Sequence, residues 1–352
     1  MDYETAMKSG INPEYLHELP NGTWVHRGMF QSFGPGANCT LDLCPIEWTI
    51  YQYRPSLPAN ITFMALYVIA LSIHVYLGVR WRSWWFMAFM ATGCLYAIIG
   101  YSGRVVLWKN PWSFGGFMLQ MICVTGGPVF YTAAIYVTLS RAIQFFAAEI
   151  SRLPAKMFYW IFISADITCL VLQAAGGALS SSSRGASQTG IDLAMAGLIL
   201  QVIVLVIFCG FFADYMIRFA RLQRDRGSSL KAAITTRQQL FFGGLASAIL
   251  LILVRCLYRV DELSQGYSNS DKITDEGLFI GLEGVMIYLA VCCLFIGHPG
   301  FGFQHVDLSG RRRVNQDAEE IPMEYNGGQT ASKQLLSTPA CSTPAYSDRP
   351  LS

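Results

Sequence analysis

Apolar residues in this chain gather into long unbroken runs separated by short polar stretches, without the strict alternation of half-buried strands. Seven runs stand out, at about 60–79, 84–102, 115–146, 156–179, 189–217, 239–260 and 277–297. Each reaches the roughly 18 residues that a helix needs to cross a hydrocarbon core of about 30 Å. Lipid offers no hydrogen-bond partners, so every backbone N–H and C=O must be satisfied within the run itself. The pattern therefore predicts an all-α polytopic membrane protein with seven transmembrane helices. A transmembrane barrel would need alternating segments of about ten residues instead. The runs divide the chain into an N-terminal tail over 1–59, a helical domain over 60–297 and a C-terminal tail over 298–352.

Punctuation inside the runs refines the picture. Gly126-Gly127-Pro128 sits within the third, where proline removes a helical hydrogen bond and predicts a kink. Gly176-Gly177 followed by Ser180 to Ser183 reads as the exit of the fourth helix into an exposed loop. Trp81, Trp84, Trp85, Trp108 and Trp112 fall at predicted membrane edges, where amphipathic rings prefer to sit. From about His305 the chain turns rich in Ser, Thr, Pro and Gln and loses apolar periodicity, which predicts a disordered tail.

Composition agrees with the pattern: 53% of residues are hydrophobic and 14% charged, against about 25% charged in soluble domains. The net charge of +2 points to no nucleic-acid partner, because the basic residues are sorted by membrane side. They follow the first run (Arg80, Arg82), the third (Arg152, Lys156), the fifth (Arg218 to Arg237) and the seventh (Arg311-Arg312-Arg313). The stretch before the seventh run is acidic: Asp261, Glu262, Asp271, Asp275 and Glu276. The positive-inside rule then puts the N-terminus outside and the C-terminus in the cytosol. Glycosylation sequons at Asn21 and Asn38 fall on the expected outer side, and a third at Asn60 lies too near the first helix to be modified. Of ten cysteines, most lie in apolar runs as packing residues, whereas Cys39 and Cys44 sit in the polar tail and could form one local disulfide.

Ionisable and amide side chains at membrane depth are costly and mark either function or a structural pair. The candidates are Arg104, Gln120, Asp166, Gln173, Gln201, Arg255, Arg259, Glu262, Glu276 and Glu283. Spacings of four and three put Arg255, Arg259 and Glu262 on one helical face. Glu276 and Glu283 are seven apart, as are Asp166 and Gln173, and Gly197 shares a face with Gln201. Two readings follow. One is a polar cavity, with carboxylates receiving a cationic or zwitterionic headgroup and arginines balancing charge. The other is internal pairing of Arg255 or Arg259 with Glu283 or Asp166 that only holds the bundle together. His74, Arg141 and Asp214, near helix ends, are expected to snorkel or cap.

Several chemistries lack their residues. There is no G-x-x-x-x-G-K-[ST] phosphate loop and no G-x-S-x-G nucleophile elbow. The five histidines have no metal-ligand spacing, and the seventh run has no lysine for a Schiff base. No enzyme activity, cofactor or metal is expected.

Tyr53-Arg54-Pro55-Ser56-Leu57-Pro58-Ala59-Asn60 resembles the lead-in to the first helix of the fungal lipid-translocating exporter family, which includes aminocholesterol-resistance and sphingoid long-chain base exporter proteins. Further similar stretches are Gly100 to Arg104, Gln120 to Pro128, Ala133 to Arg141, Phe162 to Asp166 and Gln173 to Gly177. Gly197 to Gln201, Arg255 to Arg259 with Glu262, and His298-Pro299-Gly300 complete the set over roughly 44–300. The family's seventh helix has a tyrosine four and an aspartate seven residues after its glutamate; here Glu276 is followed by Ile280 and Glu283. The resemblance implies a transporter of amphipathic lipid-like molecules, such as a sphingoid base, a sterol analogue or a toxic amphiphile, that confers stress tolerance by export from the plasma membrane. Its partners would be membrane lipids and the lipid-like substrate, and the sequence sets no oligomeric state. Alternatives are a seven-helix lipid-sensing receptor, and transport of porphyrin, heme or a secondary metabolite. Against the receptor, the third run ends in Ser140-Arg141-Ala142 rather than Asp-Arg-Tyr, and the seventh lacks Asn-Pro-x-x-Tyr.

Overall fold

The computed structural model describes residues 16–18, 24–26, 30–31, 34, 36–49, 51–146, 155–182, 188–225, 236–264 and 275–302. Six continuous helices come first: α1 (Leu57–Arg80), α2 (Trp84–Lys109), α3 (Phe114–Phe146), α4 (Ala155–Ser182), α5 (Gln188–Asp225) and α6 (Thr236–Ser264). The seventh span, α7 (Glu276–Gly302), joins a helical turn at Glu276–Leu278, a π-helical stretch at Phe279–Val285 and an α-helix at Met286–Ile296. All seven are long and apolar enough to cross a membrane, so the chain is a multi-pass membrane protein. Outside them the described residues hold a short antiparallel ribbon, β1 (Leu16–Glu18) with β2 (Trp24–His26), and a 3-10 turn at Ile46–Trp48. Three-residue strands leave too little alternation for a sequence pattern to show them.

The helices are greasy outside and aromatic inside. Val68, Ile69, Trp84, Trp85, Trp160, Ile167, Val171, Val206 and Ile207 are exposed, as a lipid-facing surface requires. Tyr131, Tyr136, Phe208, Phe241, Leu245 and Leu294 are fully buried in the main core. Helix ends differ from the apolar runs in two instructive places. α5 continues to Asp225, carrying Arg218 beyond the apolar stretch and pairing it with Asp214 at 3.0 Å. α6 continues to Ser264, so Asp261 and Glu262 lie on its last turn rather than in a loop, and Glu262 is buried.

Two expectations are corrected. α4 does not exit at Gly176-Gly177 but runs straight through to Ser182, with Ser180 buried. Gly176 is there for packing: a β-carbon on it would lie 2.4 Å from the backbone nitrogen of Ala194, and one on Gly190 would lie 2.5 Å from that of Ser180. Close helix approach in lipid depends on such small residues, because dispersion contacts replace the hydrophobic drive. His74 neither snorkels nor caps; it is buried and stacked on Phe295 at 4.2 Å between ring centroids. Arg141 is exposed, as a group near a helix end should be. Asn21 and the tail beyond 302 lie outside the described residues, as do the basic residues at 152, 226, 231 and 311–313.

Candidate functional site

The candidate polar residues of the helices sort into three clusters and one bridge. The first sits where the N-terminal segment meets the bundle. Arg104 of α2 is fully buried; its Nε donates to Asn60 Oδ1 at 2.9 Å, and its Nη2 donates to Tyr53 Oη at 3.2 Å and meets Glu276 Oε1 at 3.5 Å. The guanidinium also lies 3.9 Å from the Phe279 ring centroid, a cation–π contact. Glu276 Oε1 accepts the Ser56 backbone N–H at 2.6 Å, and Gln120 donates to Tyr51 Oη at 2.9 Å. The segment 51–56 is thus tied down over the bundle end by buried polar side chains. Burial raises the phenols of Tyr51 and Tyr53 above the usual range against the opposing pull of Arg104, so both remain neutral hydroxyls.

The second cluster joins α6 to α7. Arg255 Nη2 donates to Glu283 Oε1 at 2.5 Å, with both side chains buried, and Arg259 Nη1 lies 3.7 Å from Glu283 Oε2. Arg259 Nη1 also donates to Glu262 Oε2 at 2.7 Å, while its Nη2 reaches Thr125 Oγ1 at 3.5 Å. The proline of α3 contributes here. Pro128 has no N–H to give to the carbonyl four residues earlier, and that carbonyl, Val124 O, accepts Arg255 Nη2 at 3.3 Å. Glu283 lies in the π-helical stretch, a local rewinding that frequently accompanies functional positions.

The third cluster is Asp166 with α3. Asp166 Oδ2 is 2.9 Å from Thr132 Oγ1 and 3.1 Å from Tyr136 Oη, and no arginine or lysine lies within ion-pair distance among the described residues. The bridge is Gln173 Nε2 to Gln201 Oε1 at 2.8 Å, between α4 and α5. Gly197 allows it, since a β-carbon there would lie 3.0 Å from Gln173 Cγ.

A cavity of about 350 Å³ lies between α3, α4, α5 and α6. Its polar lining comes from Arg259, Glu262, Gln173 and Thr125; the rest is apolar, including Met118, Met121, Phe130, Leu170 and Leu198. Ile122, Ile167 and Val171 line it while 53%, 53% and 62% exposed, so it opens sideways through the lipid-facing wall between α3 and α4.

Of the sequence candidates, Arg259, Glu262 and Gln173 line this cavity. Gln201 backs it through Gln173, and Arg255 with Glu283 form the pair behind Arg259. Arg104, Gln120 and Glu276 belong to the strap beneath residues 51–56. Asp166 stands apart from the arginines, contrary to a single cavity shared by α4, α6 and α7 charges. Thr132 and Tyr136 are the partners that sequence reasoning missed, as are Tyr51, Tyr53 and Asn60. Tyr53, Asn60 and Tyr136 do fall in the stretches that carry the family resemblance, which was the one available signal. Cys39 and Cys44 are bonded, with a Cα separation of 5.5 Å, and pack with Trp112. Asn38 Oδ1 accepts the Gln31 backbone N–H at 2.7 Å. No group of metal-ligating side chains occurs among the described residues.

Seven apolar helices enclose buried ion pairs and a laterally open cavity, the architecture of a polytopic membrane protein. The chain belongs to the RTA1-like protein family, whose profile matches residues 90–306. A sphingoid long-chain base transporter of Saccharomyces cerevisiae, RSB1, is 34% identical over 281 residues, covering 71% of this chain and 73% of that protein. Protoporphyrin uptake protein 1 of the same yeast is 30% identical over 208 residues, covering 58% of this chain and 66% of its own length. The yeast protein RTA1 is 26% identical over 275 residues, 71% of this chain and 84% of that protein. No solved structure matches the chain.

Proposed function

We propose that this protein is a non-enzymatic transporter of amphipathic molecules with an amine-bearing headgroup and a long apolar tail, and that it lowers their load in the plasma membrane by export. The observation that carries this reading is the cavity, which joins an acidic and a basic side chain to an apolar wall open toward lipid. Glu262 would face the ammonium, Gln173 and Thr125 would meet hydroxyls, and Arg259 would balance charge while held by Glu283. At about 350 Å³ the cavity is at the small end of ligand sites. It suits a headgroup and the first part of a chain, with the remainder lying out in the bilayer. The similarity to a sphingoid long-chain base transporter supports the same chemistry.

Topology enters here as well. The loop charges support an N-terminus outside, and the strap, the Glu262 end of α6 and the cavity would then lie in the outer half of the membrane. The test is the purified chain in proteoliposomes with a fluorescent long-chain amino alcohol. Movement of the probe between leaflets, lost in Glu262→Gln with its fold intact, is the expected result. Failure of the wild-type chain to move the probe, or unchanged transport by Glu262→Gln, would overturn the reading.

A further inference from the structure

Asp166 has no role in the headgroup site, yet it is 2% exposed in the middle of α4 and carries no counter-ion among the described residues. A carboxylate at that depth without a cation is costly enough that it needs an explanation. The hydrogen-bond count supplies one. Thr132 Oγ1 lies 2.9 Å from Asp166 Oδ2 and also 2.9 Å from the carbonyl of Val129, but a hydroxyl has one proton to give. In both protonation states Oδ2 keeps its partners by the turning of hydroxyls alone. With the acid ionised, Thr132 and Tyr136 both donate to Oδ2. With a proton on Oδ2, the acid donates to Thr132 Oγ1 and Thr132 turns its own proton to Val129 O. Oδ1 has no partner in either arrangement.

The surroundings suit a group that changes charge. Tyr136 of α3, Cys169 one turn along α4 and Cys256 of α6 are the titratable groups in electrostatic reach. Arg255 of α6 is directed to Glu283 rather than to the acid. Phe130 of α3 and Ile167 of α4 line the cavity, so the two helices that hold the acid and its hydroxyl partners also supply cavity wall from other faces.

We propose that Asp166, with Thr132 and Tyr136, is a proton-binding site that couples amphiphile movement to a proton gradient. One O–H bond forms at Oδ2 as the site loads from one side of the membrane and breaks as it unloads to the other. No electron transfer or further reactant is involved. The inference rests on the transport reading above and adds its source of energy.

The experiment uses the full chain in proteoliposomes, the fluorescent amino alcohol, and a pH step of one unit imposed across the membrane. Wild-type transport should change several-fold with the direction of the step. Asp166→Asn, which keeps the shape of the neutral acid, should bind the probe with unchanged affinity and move it at a rate that ignores the step. Thr132→Val, which removes the relay hydroxyl at nearly constant volume, should shift the pH midpoint of the response. Infrared spectroscopy gives an independent readout: a carboxylic acid C=O band that titrates in the wild type should vanish in Asp166→Asn. A chain that moves the probe but ignores the step overturns the coupling alone, as does an Asp166→Asn variant that still responds. A chain that moves no probe overturns the transport reading itself.

Discussion

At the scale of the residue, burial and partners separate the charges that hold the bundle from those that line its cavity. Glu283 lies between two arginines and is almost fully enclosed. Removing one partner of such a pair leaves an uncompensated charge and costs about 3–5 kcal/mol. Glu283→Ala is therefore expected to fall apart in detergent at markedly lower temperature, with loss of expressed protein before any transport step can be judged. Among the described residues Glu262 is paired only with Arg259, on the cavity wall. Glu262→Gln is expected to keep the wild-type melting temperature within a few degrees and lose probe transport, a contrast read by thermal denaturation beside the flux assay. The sequence alone puts both on favourable faces and cannot tell them apart, since spacing reports which face a residue occupies and not what stands opposite. It also hides the true neighbours of Asp166: Thr132 and Tyr136 look like ordinary polar residues of a membrane helix, and only the α3–α4 contact gives them a carboxylate to meet.

At the scale of the element, the apolar runs were the most legible feature because lipid leaves a spanning segment no alternative to the helix. The runs from 115 to 146 and from 84 onward reappear as Phe114–Phe146 and Trp84–Lys109. What the runs misjudge is glycine. In water Gly176-Gly177 would weaken a helix; here one of the two packs against a neighbouring helix and the other borders the cavity, a distinction that only packing makes. A β-carbon at Gly177 would meet no atom within 4 Å, whereas one at Gly176 would collide with the α5 backbone. Gly176→Val should therefore force α4 and α5 apart at a cost of at least about 1–3 kcal/mol. Gly177→Ala should be neutral or slightly stabilising, through the higher helix propensity of alanine. Melting curves of the two variants in one detergent check the pair. A Gly176→Val protein as stable as Gly177→Ala would mean that α4 and α5 do not approach as described. The π-helical stretch of α7 was equally invisible, because Phe279–Val285 has the composition of any apolar helix.

At the scale of the whole molecule, the polar interior is lopsided. Among the described residues the buried ion pairs lie toward the end where the N-terminal segment is tied in, through Arg104, Glu276, Arg255, Arg259, Glu262 and Glu283, while the other end is packed with aromatics around Phe208, Phe212, Phe241 and Phe242. A bundle built this way offers an amphiphile a sideways approach from one leaflet and a closed floor below. An amphiphile bound there should lie with its head inward at Arg259 and Glu262 and its tail outward past Ile122 and Val171. That orientation can be read by photo-crosslinking. A probe with its reactive group beside the amine should label Met121 and Thr125, next to the arginine that both touch. A probe with the group further along the chain should label Ile122, Ile167 and Val171 on the exposed rim. An excess of unlabelled amino alcohol should suppress both patterns, whereas a neutral alcohol of the same chain length should suppress them poorly, because it offers Glu262 no ammonium. Head-group labelling of the strap around Tyr53 and Arg104 instead would move the binding site to the bundle end and leave the lateral cavity as a packing defect between α3 and α4.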